Sequence, residues 1–306
     1  MGAWVVPPGK TSAPYHAHYV NEEMALVLGG ELSVRLNGAE HALTAGDVVA
    51  LPPGADSVHQ FLNRYDRPAH MLLASTMIER ELVEYSDSGK RGVGLRDLAR
   101  EPDAEWILIK DGRVLPSGED DGPYFEGEPV GEPLGVAPEP PAERDRRIVG
   151  LGDLPWEPYA FGPFAGERKR PSRMAGARLL GYSVYRLRPG QRSWPYHFQH
   201  VNEEFFYVRS GYARLRTEEG ERDLRPGDSF LCPPGPGGAH AVSNAGDSPL
   251  EYFALSTMEE PEVSEYPDSG KLYVLVGAAP GGDAAARSVD LVFRRQDAVD
   301  YEAGER

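Results

Sequence analysis

The chain has 306 residues, which is enough for two domains of ordinary size, each with its own core. It contains 32 Lys and Arg against 48 Asp and Glu, and its formal net charge is -16. Because such a surface repels phosphate backbones, we expect no nucleic-acid partner. The single cysteine, Cys232, excludes an intrachain disulfide and favours a reducing compartment.

Nothing in the sequence predicts export or membrane insertion. Residues 1–8 lack the basic region and the apolar run of a signal peptide. No apolar stretch approaches the roughly 20 residues needed to span a bilayer. We therefore expect a cytoplasmic protein without a membrane partner.

The predicted elements are short strands throughout. In chain order, runs rich in aliphatic and aromatic side chains lie at 24–36, 45–54, 69–76, 205–216, 227–235 and 250–257. Gly, Pro, Asn and Asp separate them, and no long stretch has a helical period. This pattern is typical of an all-β sandwich or barrel, and a jelly roll is the closed form that we expect.

The second half of the chain repeats the first. PGKTSAPYHAHYVNEE (8–23) and PGQRSWPYHFQHVNEE (189–204) match at an offset of 181 positions. The same offset relates two PPG turns, two STM segments and the DSGK segments at 87–90 and 268–271. A further pair, YFEGE (124–128) and YEAGE (301–305), matches at an offset of 177. So many ordered matches indicate a tandem duplication.

The repeat predicts the domain organisation. We assign residues 1–128 to an N-terminal barrel and residues 148–306 to a C-terminal barrel. Residues 129–147 are rich in Pro, Glu and Arg and are predicted to form a linker. The second domain begins with an extra segment, through residue 177, which we interpret as an arm strapped to the barrel with Trp156 as its anchor.

Four side chains of the first copy have the chemistry of a metal site. His16 and His18 stand two apart in an extended segment, so both leave the same face of a strand. Glu23 follows after a short turn, and a later strand presents His59. The four can therefore converge inside one small barrel. The alternative is a set of hydrogen-bonded polar residues that line the barrel mouth.

The first copy resembles the two cupin motifs, each slightly lengthened, with the spacing Gly9-(x)6-His16-x-His18-(x)4-Glu23-(x)6-Gly30 and then Gly46-(x)5-Pro52-x-Gly54-(x)4-His59-(x)3-Asn63. Both motifs recur in the second copy, and the DSGK segments are similar to those of largely uncharacterised bacterial bicupins. The resemblance implies two tandem cupin barrels, which are double-stranded β-helices of the jelly-roll type. It also implies that the metal ligands of the first site are His16, His18, Glu23 and His59.

The second copy departs from the pattern at one ligand position. In register, His18 corresponds to Gln199, while His200 lies one position later. Strand alternation turns Gln199 inward and His200 outward, unless a bulge shifts the register. The second site would then hold His197, Glu204 and His240, with Gln199 as a weak fourth ligand or a vacancy, and with His200 as the alternative to Gln199.

Several neighbouring residues leave alternatives open. Glu22 and Glu203 could replace the ligand carboxylates by a register shift, although the spacing to the glycines that follow favours Glu23 and Glu204. His41 lies beside a predicted hairpin turn, and we expect it at the solvated surface. Arg35 and Arg216 are candidates to meet an anionic substrate at a barrel wall.

These ligands predict one divalent transition-metal ion per intact site. We expect the ion to be Fe. The same ligand types also suit Mn, Ni, Co, Cu and Zn. Four protein ligands on an octahedral ion leave up to two positions open for substrate, O₂ or water. The predicted function is a dioxygenase or related oxidoreductase that acts on a small oxygen-bearing substrate. The alternatives are a non-redox isomerase or lyase and a non-catalytic binding protein. We expect the chain to act as a monomer, whose two barrels form an internal pseudo-dimer, or as a homodimer.

Overall fold

The computed structural model describes residues 1–97, 101–115, 122–129, 138–139 and 141–305. The chain divides into two compact units, one formed by residues 1–153 with 174–180 and the other by residues 154–173 with 181–306. Both units consist mainly of antiparallel strands, which confirms the predicted all-β class. Over the described residues, no helix is long and apolar enough to cross a membrane.

The first unit is a jelly roll made of two sheets. Its strands are β1 (Gly2–Val6), β2 (His16–His18), β3 (Glu23–Gly29), β4 (Glu31–Leu36), β5 (Ala39–Thr44), β6 (Asp47–Leu51), β7 (His59–Leu62), β8 (Ala69–Ser75), β9 (Arg80–Tyr85), β10 (Lys90–Asp97), β11 (Glu101–Lys110), β12 (Arg113–Val114) and β13 (Ile148–Gly150). One sheet has the order β1-β8-β3-β6-β13, and the other has the order β12-β11-β10-β9-β2-β7-β4-β5. Short helical segments lie at Ala55–Ser57, at α1 (Gly122–Phe125) and at Leu151–Asp153.

The core of the first unit lies between these two sheets. Ala25 and Val27 of β3 and Met71 of β8 pack with Val34 and Phe61 from the opposite sheet, and none of the five is more than 2% exposed. Burial of apolar side chains stabilises a fold by about 25 cal/mol per Å². Because successive side chains of a strand alternate between faces, Glu23 shares the inner face of β3 with Ala25 and Val27.

The second unit repeats this plan with an added arm. Its elements are β14 (Glu157–Phe161), β15 (Phe164–Lys169), α2 (Pro171–Ala175), β16 (Leu180–Leu187), β17 (Phe198–Gln199), β18 (Glu204–Ser210), β19 (Ala213–Thr217), β20 (Gly220–Leu224), β21 (Ser229–Cys232), β22 (Ala241–Asn244), β23 (Leu250–Thr257), β24 (Glu262–Tyr266), β25 (Lys271–Val276) and β26 (Val289–Arg294), with short helical turns at Pro236–Gly238, Ala284–Ala286 and Arg295–Asp297. The strand orders are β14-β15-β16-β23-β18-β21, β17-β24-β25-β26 and β20-β19-β22. The arm forms β14 and β15, and the ring of Trp156 lies 3.9 Å from the Arg186 guanidinium.

Equivalent glycines turn the chain just after each carboxylate strand. Gly30 and Gly211 both have φ of +79°, a left-handed conformation that side chains disfavour. A Cβ would lie 2.7 Å from Pro68 O at Gly30 and 2.6 Å from Pro249 O at Gly211. Glycine is therefore required at both turns, which explains its fixed spacing after Glu23 and Glu204.

The boundary between the units differs from the one that the sequence predicts. Residues 148–150 form β13, which pairs with β6 of the first unit. Arg144 Nη2 lies 2.6 Å from Asp47, and Arg147 is only 8% exposed. Residues 144–153 thus pack on the first barrel. The repeat instead places residues 144–147 in the linker and residues 148–153 in the second domain, because pairing at a sheet edge leaves no local sequence pattern. Linker residues 130–137 and 140 lie outside the described residues.

A buried ion pair attaches the YFEGE segment to the first barrel. Lys90 Nζ lies 3.1 Å from Glu128 Oε1, and both side chains are fully buried. Lys90 also donates a hydrogen bond to Tyr124 O, and the Tyr124 ring contacts Tyr85 edge to face. A buried charge is stable only with a partner, so this pair holds residues 124–128 against the β9–β10 hairpin.

Replacing Glu128 by alanine should lower the free energy of unfolding by about 3–5 kcal/mol, because it removes the carboxylate from a buried ammonium group. The matched control is Glu126→Ala, since the Glu126 side chain is 57% exposed and lies 4.0 Å from Lys110. We expect the control to change stability by less than about 0.5 kcal/mol. Urea unfolding measures both, and equal stability of the two variants would contradict the structural role of Glu128.

Candidate metal centre

Three strands of the first barrel bring the four predicted ligands together. His16 and His18 lie on β2, His59 on β7 is the cross-strand partner of His16, and Glu23 begins β3. The Nε2 atoms of His16 and His18 are 3.1 Å apart. Glu23 Oε2 lies 3.6 Å from His18 Nε2 and 3.2 Å from His59 Nε2. One small volume therefore contains three imidazoles and a carboxylate.

Backbone carbonyls orient the imidazole rings. His16 Nδ1 lies 2.7 Å from Pro14 O, and His59 Nδ1 lies 2.9 Å from Ser57 O. A carbonyl oxygen only accepts hydrogen bonds, so each Nδ1 carries the proton and each Nε2 directs a lone pair into the cluster. Converging lone pairs beside a carboxylate repel one another unless a cation joins them. The donor set therefore fits a divalent metal ion.

The sequence patterns do not single out Glu81, which contacts the third imidazole. Its Oε2 lies 3.3 Å from His18 Nδ1, and its carboxylate also accepts the backbone N–H groups of Val20 (3.2 Å) and Asn21 (3.0 Å). A carboxylate on the far nitrogen orients a metal-binding imidazole and raises its basicity. The available signal was the repeat, since Glu81 and Glu262 match at the offset of 181.

Burial and neighbouring charges set the protonation of the first cluster. Burial, with repulsion from the other imidazoles, lowers the pKa of His16 to about 3. Burial opposes ionisation of Glu23, but the contact with His59 Nε2 and the charge that the nearby imidazoles carry when protonated lower its pKa to about 2. Burial also acts against a charged His18, yet the hydrogen bond to Glu81 outweighs it and raises the pKa of His18 above 6.5. Protons therefore compete with a metal at His18 near neutral pH.

The second barrel contains a similar cluster. Glu204 Oε2 lies 3.5 Å from His240 Nε2 and 3.9 Å from His197 Nε2. Both Nδ1 atoms face carbonyls, at 2.8 Å from Pro195 O and 2.9 Å from Gly238 O. Burial lowers the pKa of both histidines to about 4 and raises the pKa of Glu204. Both halves thus contain His and Glu groups that could hold a divalent metal.

The altered ligand position of the second barrel is occupied by Gln199. It is 5% exposed on β17 and forms a hydrogen bond with Glu204. The His200 side chain is 42% exposed, with Nε2 at 3.4 Å from Glu265 and its ring near Phe198. Gln199 therefore lies with the cluster, and His200 lies at the surface.

Two of the remaining candidates lie outside the clusters, and His41 requires a correction. The Glu22 carboxylate accepts the N–H groups of Arg178 (2.9 Å) and Leu179 (3.0 Å), while Glu203 is exposed. The prediction of a surface position for His41 is wrong, because His41 is 6% exposed on β5. Residues 144–147, predicted to be linker, contact this part of the barrel.

The two arginines considered for substrate binding are held by the DSGK segments. Arg35 Nη1 lies 2.8 Å from Asp87, and its guanidinium lies 3.7 Å from the ring centre of Tyr15. Arg216 makes the same contacts in the second barrel, at 2.7 Å from Asp268 and 4.0 Å from the Tyr196 ring. These repeated pairs join the DSGK turns to the barrels, which is a structural role.

Comparison with known proteins agrees with this fold. A family model described as "Cupin domain" matches residues 2–75 and 183–256. The chain therefore contains two cupin domains, one in each half. No curated protein matches the sequence significantly.

Solved structures share the fold at low sequence identity. A variant of salicylate 1,2-dioxygenase from Pseudoaminobacter salicylatoxidans, in complex with gentisate, is 17% identical over 84% of this chain and 68% of that one, with a TM-score of 0.53. Oxalate decarboxylase from Lactobacillus farciminis is 17% identical over 83% of this chain and 75% of that one, with a TM-score of 0.47. A sugar phosphate isomerase from Silicibacter pomeroyi is 22% identical over 49% of this chain and 93% of that one, with a TM-score of 0.42. At these identities the likeness concerns the fold alone.

The affinity of the first site for Co²⁺ should fall as the pH drops. Protonated His18 cannot bind an ion, and its pKa is raised above 6.5, so the loss should begin above pH 6.5. Below the pKa, displacement of one proton costs about a tenfold loss of affinity per pH unit. Calorimetric titration of a His197→Ala/His240→Ala variant isolates the first site. An affinity that does not change between about pH 5 and pH 8 would contradict this assignment.

Removal of the Glu81 carboxylate should weaken metal binding at the first site by about 10–100-fold, because His18 loses its orienting partner. The control is Glu262→Ala, whose carboxylate holds the equivalent loop through Asn202 N at 2.8 Å without an imidazole in contact. We expect a smaller loss at the second site in that variant. Equal losses in both variants, measured by metal titration, would indicate that the carboxylate acts only on the loop.

Proposed function

We propose that this bicupin is a metal-dependent enzyme, and that its N-terminal barrel is a dioxygenase site using Fe(II) or a similar ion on a small oxygen-bearing substrate. The observation that carries the proposal is the cluster of three imidazoles and one carboxylate. Glu23 Oε2 lies 3.2 Å from His59 Nε2 and 3.6 Å from His18 Nε2, and His16 Nε2 lies 3.1 Å from His18 Nε2. A divalent ion bound there would supply Lewis acidity and, if redox-active, reactivity toward O₂.

The residues around the cluster leave one side of it accessible. The His59 side chain is 3% exposed, and its ring centre lies 6.0 Å from that of Phe61, which excludes water there. On another side, Tyr85 stacks with His16 at 6.1 Å between ring centres. His16 and His18 are the partly exposed members of the cluster, whereas Glu23 and His59 are buried. We therefore propose that substrate and O₂ approach past the two histidines of β2.

The protonation of the cluster suits this role near neutral pH. His16 is neutral because burial lowers its pKa to about 3, and Glu23 supplies a negative charge because its pKa is about 2. His18 Nδ1 keeps its proton in the hydrogen bond to Glu81. Once the proton on His18 Nε2 is lost, that nitrogen is available to an ion. Three imidazoles held by backbone and carboxylate hydrogen bonds need little rearrangement to hold an ion.

Among the reaction classes that these ligands allow, we favour dioxygenase chemistry. The salicylate 1,2-dioxygenase with the same fold was solved with gentisate, a hydroxybenzoate. Enols, catechol-like compounds and hydroxy acids carry similar oxygen donors, and these are the substrate classes that we propose. A cytoplasmic protein that acts as a monomer or homodimer remains our expectation.

Fe(II)-loaded protein should consume O₂ with at least one member of a panel of diketones, phenols and hydroxy acids. His16→Ala and His59→Ala should each lower the rate by more than about 100-fold, since loss of a ligand should exceed the 10–100-fold effect of losing an outer partner. The control is His200→Ala, which alters an imidazole at the surface and should retain the rate.

Other outcomes would favour the remaining reaction classes. Turnover that persists without O₂ and with Zn²⁺ would contradict the dioxygenase and favour an isomerase or lyase. Metal-loaded protein that binds these compounds without converting any of them would favour a binding protein.

A further inference from the structure

The YEAGE segment (301–305) has the same local conformation as its counterpart in the first barrel, the YFEGE segment (124–128). In each, the final glutamate donates its N–H to the carbonyl three residues earlier, at 3.1 Å in YEAGE and 3.0 Å in YFEGE. The glycine before that glutamate is left-handed in both, with φ of +89° at Gly304 and +75° at Gly127. Because other residues disfavour such a φ, the glycine fixes the turn. Each copy therefore carries the same preformed turn.

The two turns differ in their surroundings. A Cβ on Gly127 would lie 2.8 Å from Lys110 Nζ, so the YFEGE segment is in contact with the first barrel. A Cβ on Gly304 would have no atom within 4 Å. Tyr301 is 99% exposed, and all five residues of the YEAGE segment are exposed. The second turn thus projects into solvent, whereas the first is packed.

The residues that receive the first turn have equivalents in the second barrel, but there they are uncovered. Lys90 and Tyr85 correspond to Lys271 and Tyr266, and in both pairs the ammonium lies over the ring, at 5.5 Å and 5.4 Å from its centre. Lys90 is fully buried with Glu128 as its partner, whereas Lys271 is half-buried and forms no ion pair with any described residue. Tyr85 is 4% exposed, whereas Tyr266 is half-buried. The second barrel therefore presents the same receiving surface without a carboxylate.

The end of β26 holds the second turn close to this surface. Lys271 is the cross-strand partner of Arg294, the last residue of β26, and Arg295 N donates to Gly270 O at 2.9 Å. Residues 295–300 then lead to the turn and span at most about 20 Å when fully extended. A tether this short keeps the effective concentration of the turn at Lys271 high.

We propose that the YEAGE segment is a strap of the second barrel that docks on its own chain, with Glu305 paired to Lys271 and Tyr301 packed on Tyr266. The charges are complementary, because the acidic turn meets an ammonium that has no other carboxylate among the described residues. Tyr266 stacks with His197 at 5.7 Å between ring centres, so the docked strap covers the barrel on the side of that histidine. This inference depends neither on the reaction proposed for the first barrel nor on a bound metal.

Hydrogen exchange of the full-length protein, read by mass spectrometry, tests the docking. The amides of residues 301–305 should exchange about tenfold or more slowly than those of a free peptide with the same sequence. Glu305→Gln and Lys271→Met should each remove most of this protection, because a buried charge needs its partner. The matched control is Glu302→Gln, which alters a carboxylate of the same turn at the position of Phe125 in the first barrel. It should leave the protection unchanged.

A charge exchange separates the ion pair from other effects of the substitutions. The double variant Lys271→Glu/Glu305→Lys should recover protection that either single change loses. Wild-type amides that exchange at the rate of the free peptide would overturn the proposal, and so would protection that survives Glu305→Gln, which decides if the Lys271 variants fail to fold. Protection that disappears on dilution, together with dissociation of a dimer in sedimentation, would overturn docking within one chain.

Discussion

The central constraint is the fixed direction of the imidazole lone pairs. In each barrel, carbonyls two residues before the histidines accept the Nδ1 protons, as Pro14 O and Ser57 O do in the first barrel. The Nε2 atoms therefore face inward, toward a carboxylate at the start of the next strand. Without a cation such an arrangement is electrostatically unfavourable, so its occurrence in both barrels fits a role in metal binding.

The fold supplies this geometry with few specific requirements. Strand alternation places His16, Glu23 and His59 on inner faces, and antiparallel pairing sets His16 opposite His59. The inner positions that follow Glu23 and His59, namely Ala25, Val27 and Phe61, belong to the core, so a one-residue slip would expose core and ligands together. The glycine turn after β3 is the other requirement, because no side chain fits against Pro68 O.

Much of the fold and site could be predicted from the sequence because both depend on short-range patterns. The repeat, the strand period and the two cupin motifs led to two jelly rolls and to the clustered residues of each barrel. The repeat marks Glu81 only through its match with Glu262, and no short-range pattern connects it to His18, because it reaches His18 across strands from 63 positions away. The packing of residues 144–153 on the first barrel and the burial of His41 depend on edge pairing and on loop contacts, which have no periodic signal.

The duplicated barrels carry unequal ligand sets on one framework, and the first is the better candidate for catalysis. The account as a whole requires an ion bonded to side chains that are far apart in sequence. Anomalous diffraction from crystals grown with Mn²⁺ or Fe²⁺ tests this directly. We predict a peak in the first barrel at about 2.0–2.3 Å from the Nε2 atoms of three histidines and an oxygen of Glu23. A crystal grown with the metal that shows no peak there, or in which these side chains are turned apart, would contradict the account.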